Sequence, residues 1–162
     1  MASYWSAAFQ GDIERVTELL DAGQNIDEYP PPNETCYRPT ALAYAVWGNQ
    51  PEMVKYLLER GANPDRYDGD GNYSPLHWAS YQGDHADCAE HLVEAGADLE
   101  ARSWANRDGF TPLEMAEGRN QVVSRKPGVM LVLEAAARPP RRAAVPRATT
   151  AAAAEAMTAP AA

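Results

Sequence analysis

The stretch "YSPLHWASYQGDHADCAEHLVEAGADLE", residues 73–100, holds two helical patterns separated by a glycine. Ser74 stands where its oxygen can accept from the open N–H groups of a first helical turn, and Pro75 follows at the first helical position, where a missing N–H costs nothing. Gly83 lets the chain turn. Cys88, Leu92 and Val93 then fall on one face of a second helix. Gly96, after Ala95, supplies the left-handed residue that closes it.

The same grammar recurs on both sides. "RPTALAYAVWGNQPEMVKYLLERGANPD" (38–65) and "FTPLEMAEGRN" (110–120) each begin with an extended residue and a hydroxyl, followed by a leucine two places on and an alanine three further. The hydroxyls Thr40, Ser74 and Thr111 are 34 and 37 residues apart, and Pro112 repeats the role of Pro75. "YWSAAFQGDIERVTELLDAGQNID" (4–27) has the same second half, so the chain reads as four units, at about 3–35, 36–69, 70–106 and 107–136. Apolar residues at helical spacing mark the second helices: Ile13, Val16, Leu19 and Leu20, then Met53, Val54, Leu57 and Leu58. Gly23 and Gly61 close them as Gly96 does. A helix pair of this size cannot bury its own apolar face, so the units must stack. The expectation is an all-α solenoid over residues 1–137. Arg15 and Glu18 replace Met53 and Tyr56 of the next unit, which suits an end unit whose outer side faces water.

These segments resemble ankyrin repeats, whose Thr-Pro-Leu-His-x-Ala signature stands here as Ser74-Pro75-Leu76-His77-Trp78-Ala79. Thr40 to Ala45 lacks the proline and the histidine, and Thr111 to Ala116 lacks only the histidine. The resemblance covers roughly residues 3–136. It implies a protein-interaction scaffold with hairpin-like loops at the junctions and a concave face made by the first helices. It also implies that His77 bridges neighbouring turns. Departures from the pattern are the long loop "QNIDEYPPPNETCYR" (24–38), one extra residue in "DHAD" (84–87), and the interruption "QVVSRKPG" (121–128).

Composition narrows the function classes. The chain has 162 residues and a net charge of −9. From Arg138 onward it carries four arginines against Glu155, so residues 1–137 hold −12. Such a body lacks the clustered Lys and Arg that phosphate contacts need, which argues against nucleic acid and for basic partners. Residues 138–162, rich in Ala, Pro and Arg, read as a disordered tail. With no long apolar run and no basic-then-apolar start, neither a membrane span nor a secretory signal is legible. A monomer of the cytoplasm, or of the nucleus, is expected. Cys36 and Cys88 are too few for a disulfide framework.

Candidate chemistry is sparse, and the reading is of a non-enzyme with no cofactor and no small-molecule substrate. His77 has no nucleophile at suggestive spacing. His85, Cys88 and His91 match a metal-ligand spacing, but three-residue steps on a helix turn each ligand about 60° from the last, and Cys88 falls at a core position. "DGDGNY" (68–73) starts like a calcium loop yet offers Tyr73 and Ala79 where glycine and glutamate are required, so a hairpin tip is the better account. Neither GxxxxGK[ST] nor GxGxxG occurs.

Aromatic residues carry more information. Phe9, Trp47 and Tyr81 each follow a first-helix alanine by two places, a position that the resemblance puts on the groove. Tyr29, Tyr37, Tyr67, Tyr73, Trp104 and Phe110 fall in the loops. Tyr and Trp anchor interfaces more than other residues do; the competing account is packing between units, as for Tyr44 and Trp78. Asp27, Asp65, Asp68, Asp70, Glu100 and Asp108 border these rings, and carboxylate-flanked aromatics suit Arg or Lys. Two functions follow: an interaction module for a basic peptide or protein patch, or a regulatory body that masks a basic segment such as its own tail. Hydroxylation of loop asparagine, which the resemblance also implies, loses its support because Asp27, Asp65 and Glu100 occupy those places.

Overall fold

A computed structural model describes residues 3–32, 37–70, 73–105, 109–119 and 124–138. The expected disordered tail beyond Arg138, Cys36 and Asp108 lie outside them, as do parts of the 24–38, 68–73 and 121–128 loops. Among the described residues every regular element is helical: α1 Tyr4–Gln10, α2 Ile13–Asp21, α3 Ala41–Trp47, α4 Pro51–Glu59, α5 Pro75–Gln82, α6 Ala86–Glu94, a 3-10 turn at Ser103–Ala105, α7 Pro112–Ala116 and α8 Pro127–Ala137.

The helices stack in two layers. In the inner layer α1 packs on α3, α3 on α5 and α5 on α7; in the outer layer α4 packs on α6 and α6 on α8. Ala7, Ala8, Ala45, Ala79 and Ala116 are wholly buried, and their small side chains let the inner helices approach closely. Leu42, Leu76 and Met115 fill the space between layers. Val16, then Met53, Val54 and Leu57, then Cys88, Ala89 and Leu92, then Val129, Met130 and Leu133 seal it from outside.

Local chemistry sets each helix start. Ser3, Thr40 and Thr111 accept from the N–H of Ser6, Ala43 and Glu114, and the Glu114 carboxylate reaches back to the Thr111 N–H at 3.0 Å. Ser3 is a cap that the repeat pattern did not single out. Gly23, Gly61 and Gly96 follow the outer helices with φ of 99°, 92° and 85°, the left-handed conformation that side chains resist. Gly48 is needed for a different reason: a Cβ there would lie 2.2 Å from the Phe9 carbonyl oxygen.

Gly83 corrects the sequence reading. Gly11 and Asn49 turn the chain with φ of 77° and 51°, whereas Gly83 is extended at −155°. The extra residue, Asp84, carries the chain across instead. Its carboxylate accepts from the N–H groups of Gly128 and Val129 at 2.9 and 2.8 Å, so the insertion in the third unit caps the last outer helix.

The loops project as fingers pinned at their base. Asp68 N–H donates to Tyr73 O at 2.9 Å and the Asp68 carboxylate accepts from Tyr73 N–H at 3.1 Å. Ser103 N–H and Oγ pair with Phe110 O and N–H in the same way, both at 2.9 Å.

Candidate groove and finger face

His77 on α5 is fully buried. Its Nε2 lies 2.9 Å from the Phe110 carbonyl oxygen, which can only accept, so Nε2 carries the proton. Nδ1 then accepts from Ser74, whose N–H and Oγ lie at 3.2 and 2.7 Å. Burial pulls its pKa down to about 4, with the Phe110 bond pulling partly the other way. A neutral ring thus joins the start of α5 to the finger of the next unit, beside Ser80, whose Oγ donates to Pro112 O at 3.0 Å. Thr40, Ser74 and Thr111 lie buried at helix starts, and Pro75 and Pro112 occupy the first helical positions.

The histidine–cysteine trio is dispersed among structural partners. His85 Nδ1 donates to Val46 O across the α3–α5 step at 2.8 Å, and burial lowers its pKa. The Cys88 Sγ lies 3.7 Å from Asn49 Oδ1, and burial pushes its thiol up to about 12. His91 faces Glu94 at 3.6 Å.

Aromatic rings form a connected floor. Phe9 meets Trp47 edge-on at 6.0 Å, Tyr44 stacks on Trp47 at 5.8 Å, and Trp47 stacks on Trp78 at 5.2 Å. Tyr81 stacks on Tyr73 at 5.4 Å, and Tyr73 lies between Tyr37 at 6.3 Å and Trp104 at 6.4 Å. The inner-helix row and the finger row therefore meet at Trp78 and Tyr73. Phe9, Tyr37 and Trp104 are 41%, 38% and 49% exposed; Trp47 and Tyr81 are partly so, while Tyr73 is buried. Trp104 adopts φ 59° and ψ 23°, a left-handed conformation that costs a non-glycine residue about 1–2 kcal/mol.

Other finger residues are committed to the stack. Tyr29 donates to Tyr67 O at 3.0 Å and Tyr67 to Arg102 O at 2.7 Å, a ladder of hydroxyls linking successive units. Arg66 lies 4.9 Å over the Tyr29 ring. Phe110 is half-buried, its backbone shared by Ser103 and His77. Among the acids, the Asp27 carboxylate accepts from Asn63 N–H at 3.1 Å and Asp65 from Asp98 N–H at 2.7 Å. Asp68 is buried at a finger base, and Asp70 is exposed at that finger's tip. The repeat spacing held the signal for these ladders, because Tyr29 and Tyr67, like Asp27 and Asp65, recur at equivalent places. Asp84, Ser80 and His85 were missed as inter-unit ties.

Comparison with known proteins agrees with this architecture. A family model described as ankyrin repeats in three copies matches residues 4–68, and a single ankyrin-repeat model matches residues 71–104. The palmitoyltransferase Hip14 of Drosophila melanogaster is 39% identical over 92 residues, 57% of this chain and 14% of that protein. A putative palmitoyltransferase ZDHHC13 of Danio rerio is 37% identical over 106 residues, 65% of this chain and 15% of that one. The ankyrin repeat and SOCS box protein 6 of Mus musculus is 35% identical over 118 residues, 72% of this chain and 27% of its length. The chain thus spans less than a third of each of these relatives, and the acyl transfer in two of the names belongs to those proteins.

Proposed function

Because the chain belongs to the ankyrin-repeat family, we propose that it is a protein-interaction module that captures a basic segment of a partner protein along its aromatic face. The inner-helix contacts are Phe9, Trp47 and Tyr81. Tyr37, Tyr73 and Trp104 extend them over the fingers, with Tyr29, Tyr67 and Phe110 behind and Asp70 as the exposed carboxylate. One observation carries this reading: the rings form a single connected floor whose ends at Phe9, Tyr37 and Trp104 stay open to solvent, in a body that carries −12. Cationic side chains gain from both the ring faces and the acidic field. The stack is held by short links between neighbours, so little ordering is needed on binding.

On this reading the module, residues 1–137, works without catalysis, as a monomer and in a thiol-reducing compartment, the cytoplasm or the nucleus. The four arginines that follow Ala137 favour one variant of it, in which the body masks its own tail. Deleting residues 138–162 separates the two. A masking tail predicts tighter capture of the decapeptide RPPRRAAVPR, the sequence of residues 138–147, after truncation; an inert tail predicts the same affinity. The groove itself is tested by titrating that decapeptide against Phe9→Ala and Trp104→Ala, whose rings are open enough to remove at small cost to the fold. Each is expected to weaken binding several-fold, and unchanged affinity in both refutes the groove.

A further inference from the structure

The aromatic floor contains a donor that meets no acceptor among the described residues. Trp78 is wholly buried, and its indole N–H has no hydrogen-bond partner among the described residues. Leaving such a group unmet forfeits the hydrogen bond that water would give it in the unfolded chain. Trp5 differs: its indole N–H donates to Glu28 O at 3.0 Å.

Among the described residues, four rings surround Trp78. Trp47 stacks on it at 5.2 Å, while Tyr73, Tyr37 and Tyr81 stand edge-on at 5.5, 5.6 and 5.9 Å. Ring faces are weak acceptors beside a carbonyl oxygen. Three of the four are partly open to solvent, so Trp78 lies one ring below the surface.

These three are held unequally. Trp47 is fixed on α3 between Tyr44 and Trp78. Tyr81 is fixed on α5 and stacked on Tyr73. Tyr37 belongs to the enlarged loop ahead of α3, is 38% exposed, and is tied by ring contacts to Tyr73 and Trp78. Among the described residues its side chain is tied by ring contacts, which makes it the easiest of the three to displace.

We infer that Tyr37 is a displaceable cover, and that a main-chain carbonyl oxygen of the bound segment takes the Trp78 indole N–H when the cover lifts. This rests on the groove reading and adds the backbone form of the ligand. A helical segment has spent its carbonyls on its own ladder, whereas an extended one keeps them free. The occupant is therefore an extended peptide, basic because of the acidic body around the site and the exposed Asp70 carboxylate on the same row of fingers.

The test reads the Trp78 indole N–H by nitrogen-15 NMR of the full chain, with Trp5, Trp47 and Trp104 assigned by substitution to Phe. Tyr37→Ala should speed its hydrogen exchange about tenfold or more. It should also let N-methylacetamide, a free peptide-like carbonyl, move the indole proton downfield; Tyr37→Phe, which keeps the cover, should behave as wild type. Tyr37→Leu replaces the alanine variant if that loosens the stack. A folded cover-less variant whose Trp78 resonance ignores the amide overturns the proposal. So does a wild-type N–H that exchanges as fast as that of Trp104. Titration with RPPRRAAVPR keeps the two readings apart. If it shifts Trp47 and leaves the Trp78 N–H in place, the cover fails and the groove stands. If the amide reaches Trp78 and the peptide moves nothing, the cover stands and the basic groove fails.

Discussion

At the scale of single residues, the stack depends on side chains that cross from one unit to the next. His77 gives a pH dependence whose sign follows from its burial. Its folded pKa of about 4 lies below the ordinary 6.5, so between these values the unfolded chain binds the extra proton. The stability it contributes is complete above about pH 6.5 and is lost as pH falls toward 4, by about 3 kcal/mol in total. Urea unfolding across that range should show a shallower slope for His77→Gln than for wild type, on top of a lower stability at pH 7; parallel slopes contradict the assignment. Two glycines separate crowding from backbone strain. Gly48→Ala should cost on the order of 3 kcal/mol because the new methyl meets the Phe9 carbonyl. Gly61→Ala meets nothing within 4 Å and should cost about 1 kcal/mol through its left-handed φ; equal melting shifts for the pair speak against this. Cys88, with its thiol pushed up by burial, should resist iodoacetamide in a Cys36→Ser background until urea unfolds the chain.

Helices and loops show what the sequence could and could not convey. The hydroxyl–proline starts and left-handed glycine ends were legible, since each follows from one residue's chemistry at one position. The 34-residue spacing made the layered stack legible as well. Less visible was where an irregularity goes: "DHAD" (84–87) read as holding one extra residue, and nothing local in "QGDHAD" tells that the Asp84 carboxylate caps a helix 44 positions later. Ring orientation was equally hidden. Trp78 and Tyr44 read as packing residues and Trp47 as a groove residue, yet the three form one stack, because which ring lies outermost depends on loop placement. The cap yields its own prediction. Asp84→Ala should loosen α8 by about 1–2 kcal/mol, seen as faster amide exchange at Gly128 and Val129 with α1 to α4 unaffected. Uniform loosening of the whole chain contradicts a local cap.

For the molecule as a whole, neighbour-to-neighbour ties produce a rigid face without a closed core. Tyrosine hydroxyls, Asp27 and Asp65, and the histidines His77 and His85 each join one unit to the next, so the fingers and inner helices hold a common register. The aromatic floor exists only because of that register. Its rings come from α1, α3, α5 and three separate loops, and no single unit contains the whole floor. The most direct measurement is affinity capture with isotope-ratio mass spectrometry, comparing wild type with a Trp47→Ala, Tyr81→Ala variant matched for helicity and melting behaviour. Partners with extended basic segments should fall at least about tenfold on the variant. The same proteins retained in equal amounts on both chains would contradict the groove.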